Sequence, residues 1–192
     1  MLRLIFVLFY IVYFSIIPVF ATEKPTAHDK QSIAGNYLTA KEAFDLKQQK
    51  GDKVLLVDVR TPSELVYIGV AKNVDVNIPF LKLDYNSWDD KKQSFKEVPN
   101  DQFVTEMNAI LKSKNMFRNS SIILLCRSGK RSAKASNLLT IHGYTNVYTV
   151  TEGFEGDKAK AGENKGKRVV NGWKNANLPW HYKLDRKLFT SK

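Results

Sequence analysis

The stretch Ile122-Ile123-Leu124-Leu125-Cys126-Arg127-Ser128-Gly129-Lys130-Arg131-Ser132 decides how the chain reads. Four apolar residues run unbroken into a cysteine. A strand buried on both faces of a parallel sheet has this continuous pattern. Three cations, one glycine and two serines follow at once, and a helical sequence begins near Ser132. In open parallel sheets ligands bind outside the carboxyl ends of the strands, which is where this loop falls.

The flanking sequence repeats the alternation of strand and helix. Thr39-Ala40-Lys41-Glu42 is a capping box, with Ala43, Phe44 and Leu46 at helical spacing and Gly51 as the stop. Val54 to Val59 is a second apolar run of strand length. Thr61-Pro62-Ser63-Glu64 restarts a helix with proline at its first position. Val74 to Ile78 predicts a short strand closed by Pro79, and residues 80–100 are expected mainly as loop. Asp101 to about Lys114 is helical, with Phe103, Val104, Met107, Ile110 and Leu111 on one side. Ser132 to His142 is the helix after the cysteine loop, stopped by Gly143, and Asn146 to Val150 is the last strand. Residues 151–172, rich in Gly, Lys and Glu, read as a long loop. The pattern predicts an α/β domain with a mainly parallel central sheet.

Of the 192 residues, 43% are hydrophobic, which suits a globular domain with a proper core. The net charge of +11 favours anionic substrates or partners. The lysines are spread along the chain and no nucleic-acid module accompanies them, so no nucleic-acid partner is expected. Residues 1–21 have one early cation, Arg3, an apolar run from Leu4 to about Ile17, a break at Pro18 and a small-x-small site ending in Ala21. This reads as a signal peptide cleaved after Ala21, with a periplasmic or secreted product and no stable membrane anchor after cleavage; a retained anchor is the alternative. Residues 22–37 read as a flexible leader.

An exported chain with one cysteine makes no internal disulfide. Its thiol is either a buried inert residue or one kept for its reactivity. The position favours the second. The dipole and first amides of the following helix point back into the loop, Arg127, Lys130 and Arg131 add positive charge, and Gly129 allows a tight turn. Each feature stabilises a sulfur anion at position 126. In phosphotyrosine-type phosphatases an arginine stands six residues after the cysteine. Here Ser132 occupies that position and Arg131 comes five after, so the loop is one residue short for a phosphoryl group. Asp58, Arg60 and Glu64 are candidate supports: Asp58 would accept hydrogen bonds from the cysteine loop, and Arg60 would pair with Glu64. Trp173 and Trp180 read as packing residues. His28, His142 and His181 have no metal-binding spacing, so neither metal nor cofactor is expected.

Four segments, in order, resemble the rhodanese (thiosulfate sulfurtransferase) family. They are Cys126–Ser132, Asp58-Val59-Arg60 with Glu64, Val76-Asn77-Ile78-Pro79, and Gly143-Tyr144-Thr145-Asn146-Val147-Tyr148. The resemblance spans a single domain over residues 38–182, followed by a basic tail at 183–192. It implies helices on both faces of the sheet. It implies that Cys126 takes a sulfane sulfur from thiosulfate or a similar anionic donor, and passes it as a persulfide to cyanide or a thiol, with a protein acceptor as a further option. Arg127, Ser128, Gly129, Lys130, Arg131 and Ser132 would bind the donor and the persulfide. The alternative is a non-catalytic binding or sulfur-carrier module. Two departures stand out: Ile68–Val74 lacks the family's histidine, and residues 151–180 are longer than its usual turn and tail, so that their basic loop would cover the site or dock a partner.

Overall fold

A computed structural model describes residues 22–189. The predicted signal segment, 1–21, lies outside the described residues. Five strands form the central sheet, all in parallel pairs: β1 (Asn36–Leu38), β2 (Val54–Asp58), β4 (Val76–Asn77), β7 (Ser121–Leu125) and β8 (Val147–Val150), in the order β1-β8-β7-β2-β4. Four helices accompany them: α1 (Ala40–Lys50), α2 (Pro62–Ile68), α3 (Phe103–Ser113) and α4 (Lys130–Ile141). A two-stranded patch joins β3 (Val70–Ala71) to β9 (Trp180–His181), and β5 (Leu81–Asp89) pairs antiparallel with β6 (Ser94–Pro99).

Strand periodicity divides the core in two. Leu56, Ile123 and Leu125 point to one face, where they meet Ala43 and Leu46 of α1, Leu65 of α2 and Trp173. Leu55, Val57, Ile122 and Leu124 point to the other, against Phe103, Met107 and Leu111 of α3 and Ala135 and Leu139 of α4. Successive strand side chains alternate between faces, so an unbroken apolar run is what two helix layers require. The expected parallel sheet with helices on both faces is therefore what forms.

Local chemistry sets the helix starts. Thr39–Glu42 and Thr61–Glu64 both close reciprocal capping boxes, and Pro62 opens α2. The helix after the cysteine begins at Lys130, two residues before the predicted Ser132, because Gly129 takes the cap position in a left-handed conformation (φ +90°).

Two sequence expectations are corrected. Residues 80–100 are a β-hairpin rather than mainly loop. Its exposed surface hides the alternation, and Tyr85, Trp88 and Phe95 hold it by edge-to-face contacts at 5.1 and 5.4 Å. Residues 22–37 are not loose: β1 begins at Asn36, buried Lys30 pairs with Asp157 at 2.7 Å, and the Ile33 amide donates to Asn137 of α4 at 2.7 Å. These anchors are long-range and polar, and so invisible to local patterning. In the basic tail, Leu184, Leu188 and Phe189 pack on the core, and Phe189 bridges to Asn77. Among the described residues no helix is long and apolar enough to cross a membrane.

Candidate active site

Cys126 follows β7, the middle strand of the sheet, and is 1% exposed. Its loop turns back over the sulfur. The Gly129 amide, at the cap of α4, donates to Cys126 Sγ at 3.1 Å. A donor at a helix start, aimed at sulfur, favours negative charge there. Gly129 has no room for a side chain: a Cβ would fall into the Thr151 carbonyl. Gly153 lies equally close to the Arg127–Ser128 peptide. The stretch after β8 thus packs edge-on against the cysteine loop. Phe154 donates its amide to the Cys126 carbonyl at 2.7 Å, and Glu155 and Gly156 donate theirs to the Arg127 carbonyl at 3.0 and 3.2 Å.

The loop's three cations have different surroundings. Arg131 is mostly buried and forms a two-pronged ion pair with Glu64, Nη1 to Oε2 at 2.7 Å and Nη2 to Oε1 at 2.5 Å. Lys130 pairs with Asp29 of the N-terminal segment. Arg127 is exposed and has no carboxylate partner among the described residues. Ser128 and Ser132 are both buried, and the Ser132 hydroxyl has no hydrogen-bond partner among the described residues.

The expected pairing of Arg60 with Glu64, and of Asp58 with the cysteine loop, is corrected. Asp58 accepts from Arg60 Nε at 3.0 Å and Nη2 at 2.6 Å, with both side chains fully buried. Arg60 also donates to the Gly69 carbonyl at 2.9 Å and stacks 4.1 Å over the Phe154 ring. Burial forces the shortest ion pair, and Asp58 is the nearer acid, which leaves Glu64 for Arg131. The cysteine loop is instead tied to β2 by the Val59 amide, which donates to the Leu125 carbonyl at 2.8 Å. Arg60, paired with Asp58, thus contacts the ring of Phe154, the residue whose amide donates to the Cys126 carbonyl. Asn77, quoted in the sequence only as part of a motif, ties the chain after β2 by donating to the Asp58 and Arg60 carbonyls at 2.9 and 2.8 Å.

Sequence reasoning missed Asp29, Phe154, Asn175 and Arg168 as members of this neighbourhood. The sequence signal for Phe154 was its place just past the last strand; Asp29 lies in a short 3-10 turn and the other two in loops, none with a local signature. Trp173, read as packing, is fully buried. Among the described residues no three His, Cys, Asp or Glu side chains gather as a metal ligand set.

The site is thus a recessed thiol beside a helix cap, at the carboxyl end of a parallel sheet. The rhodanese-like domain matches residues 39–160, more than half of the chain. Uncharacterized proteins of Rickettsia rickettsii and Rickettsia prowazekii are 34% identical over 131 residues and 33% identical over 132; each match covers 68% of this chain and 85% of the relative. The crystal structure of Rv0390 from M. tuberculosis is 27% identical, covers 77% of this chain and 98% of its own, and superposes with a TM-score of 0.56. The chain belongs to the rhodanese-like domain family.

Proposed function

We propose that this protein is a sulfurtransferase that carries sulfane sulfur as a persulfide on Cys126. The observation that carries the reading is the Gly129 amide directed at Cys126 Sγ in a family member that keeps the cysteine. The thiolate attacks the outer sulfur of a donor such as thiosulfate. A Cys126 S–S bond forms, the donor's S–S bond breaks, and sulfite departs with that bonding pair. Cyanide or a thiol then attacks the terminal sulfur and restores the Cys126 thiolate, a covalent two-step cycle. Loop amides hold the persulfide anion, and cationic side chains orient the donor. The product of residues 22–192 acts in the periplasm or outside the cell after cleavage behind Ala21, which N-terminal sequencing of the exported protein tests.

The test is the intact mass of residues 22–192 after incubation with thiosulfate. A gain of one sulfur atom, removed by cyanide and absent in Cys126→Ser, supports the enzyme. A second reading is favoured by the depth of the thiol, which sits within an apolar cluster: a rhodanese-like module that binds a partner without catalysis. No mass gain with thiosulfate or a thiosulfonate supports that module.

A further inference from the structure

The family match ends at residue 160, yet the chain continues in a loop that returns to the cysteine. Residues 158 and 168 form a bridge, as do 159 and 165. Asn175 pulls the loop against the site: its side-chain amide lies within donating distance of the carbonyls of Glu155 (3.0 Å), Arg168 (3.2 Å) and Asn171 (2.7 Å). The Arg168 side chain folds inward and donates from Nη1 to the Gly156 carbonyl at 2.6 Å. Gly156 in turn donates its own amide to the Arg127 carbonyl at 3.2 Å. Following the bonds, Arg168 Nη1 lies at most about 10 Å from the backbone of the residue after the cysteine.

Arg168 and Arg127 are two guanidinium groups without an ion pair among the described residues. Burial lowers the Arg168 pKa, and the Arg127 charge lowers it further, so the two cations act on each other. Glu155, Asp157 and Cys126 oppose that effect. Asp157 is already committed to Lys30 at 2.7 and 2.8 Å, and Glu155 makes no ion pair with either arginine. Two guanidinium groups near one thiol, neither held in an ion pair, repel each other; the Glu155 carboxylate, whose Oε1 is buried without a partner among the described residues, offsets this only in part, and an anion bound between the guanidinium groups would relieve the rest. Guanidinium forks suit a tetrahedral oxyanion.

On the reading that Cys126 accepts sulfane sulfur, we infer that Arg168 is a donor-binding residue which, with Arg127, grips the sulfonate end of a dianionic donor and selects it over less charged ones. The sulfonate oxygens lie between the two guanidinium groups while the outer sulfur faces Cys126. When sulfite leaves, it carries the dianionic charge out through the same pair.

The test measures the rate of persulfide formation, by quenched intact mass, with thiosulfate (a dianion) and benzenethiosulfonate (a monoanion). Arg168→Gln keeps a donor for the Gly156 carbonyl and removes the charge. Arg168→Lys keeps the charge, and Lys160→Ala removes a neighbouring exposed cation as a control. Thermal melting checks that each variant is folded. The expected result is a fall of about tenfold or more for Arg168→Gln with thiosulfate, carried by the concentration dependence, a clearly smaller fall with benzenethiosulfonate, partial retention in Arg168→Lys, and less than about twofold change in Lys160→Ala. Equal losses on both donors, or no loss, with a normally loading wild type overturn the grip and leave the sulfurtransferase reading standing. A wild type that takes sulfur from neither donor overturns both.

Discussion

Glu64, in the first turn of α2, and Arg131, in the first turn of α4, are joined by two short hydrogen bonds of 2.7 and 2.5 Å across 67 residues of sequence. The pair fastens the helix after β2 to the helix after the cysteine, so two adjacent strand ends are braced on one side of the site. Arg131 pays for its own burial through Glu64: burial alone depresses its pKa, and the Glu64 hydrogen bond and charge carry it above the ordinary value.

This brace predicts an acid-sensitive fold. Burial works to raise the Glu64 carboxyl, but the Arg131 hydrogen bond and charge, with the Thr61 amide, bring it from 4.5 down to about 2. The folded value lies below the unfolded one. The stabilisation is therefore complete above the unfolded value near 4.5 and is lost as pH falls through about 2. That difference corresponds to on the order of 3 kcal/mol. Glu64→Gln is expected to lower the urea midpoint at neutral pH, and its deficit against wild type is expected to shrink as pH drops through this window. A deficit independent of pH counts against the assignment.

Gly129 carries a second prediction. Its φ of +90° strains any other residue, and a methyl group there meets the Thr151 carbonyl. Gly129→Ala is expected to cost about 1–3 kcal/mol by urea unfolding and to abolish persulfide loading, since the amide that faces Cys126 Sγ must move. A variant that loads at the wild-type rate would show that this amide is dispensable.

The buried Asp58–Arg60 pair gives a third. Removing one member of a buried ion pair leaves an uncompensated charge, so Arg60→Ala is expected to destabilise the domain by about 3–5 kcal/mol. The loss includes the stack on Phe154, whose amide holds the Cys126 carbonyl. Combining Arg60→Ala with Asp58→Asn should cost less than the two single changes added together, a coupling that a double-mutant cycle by urea unfolding measures.

A fourth concerns the hairpin. Trp88 meets Phe95 edge-to-face at 5.4 Å but is about half exposed. Trp88→Ala is expected to cost about 0.5–1.5 kcal/mol and to leave the thiosulfate loading rate within about twofold. A larger effect on loading would tie the hairpin to the site.

The elements legible in the sequence were those whose signals are local. The capping box at Thr39, the proline-led helix start at Thr61 and the apolar runs at 54–59 and 122–125 each declare themselves within a few residues. The pairings were not legible, because they are decided by which groups burial brings together. Arg60 stands four residues from Glu64 and looked like its partner, yet Asp58 takes it and frees Glu64 for Arg131. The hairpin escaped notice because half-exposed strands bury too little apolar surface to show alternation. Strand β1, three residues long, is stabilised by a neighbour far along the chain.

That last strand has a consequence for the order of events in folding. β1 has one neighbour in the central sheet, β8, which follows it by more than one hundred residues, register Asn36 to Tyr148 and Leu38 to Val150. Closing so long a segment precedes any gain from the pairing, so this edge forms late and slowly compared with contacts made within a helix. A chain still being synthesised carries β1 unpaired until residue 150 has emerged. The domain has no native edge at β1 until almost all of it exists.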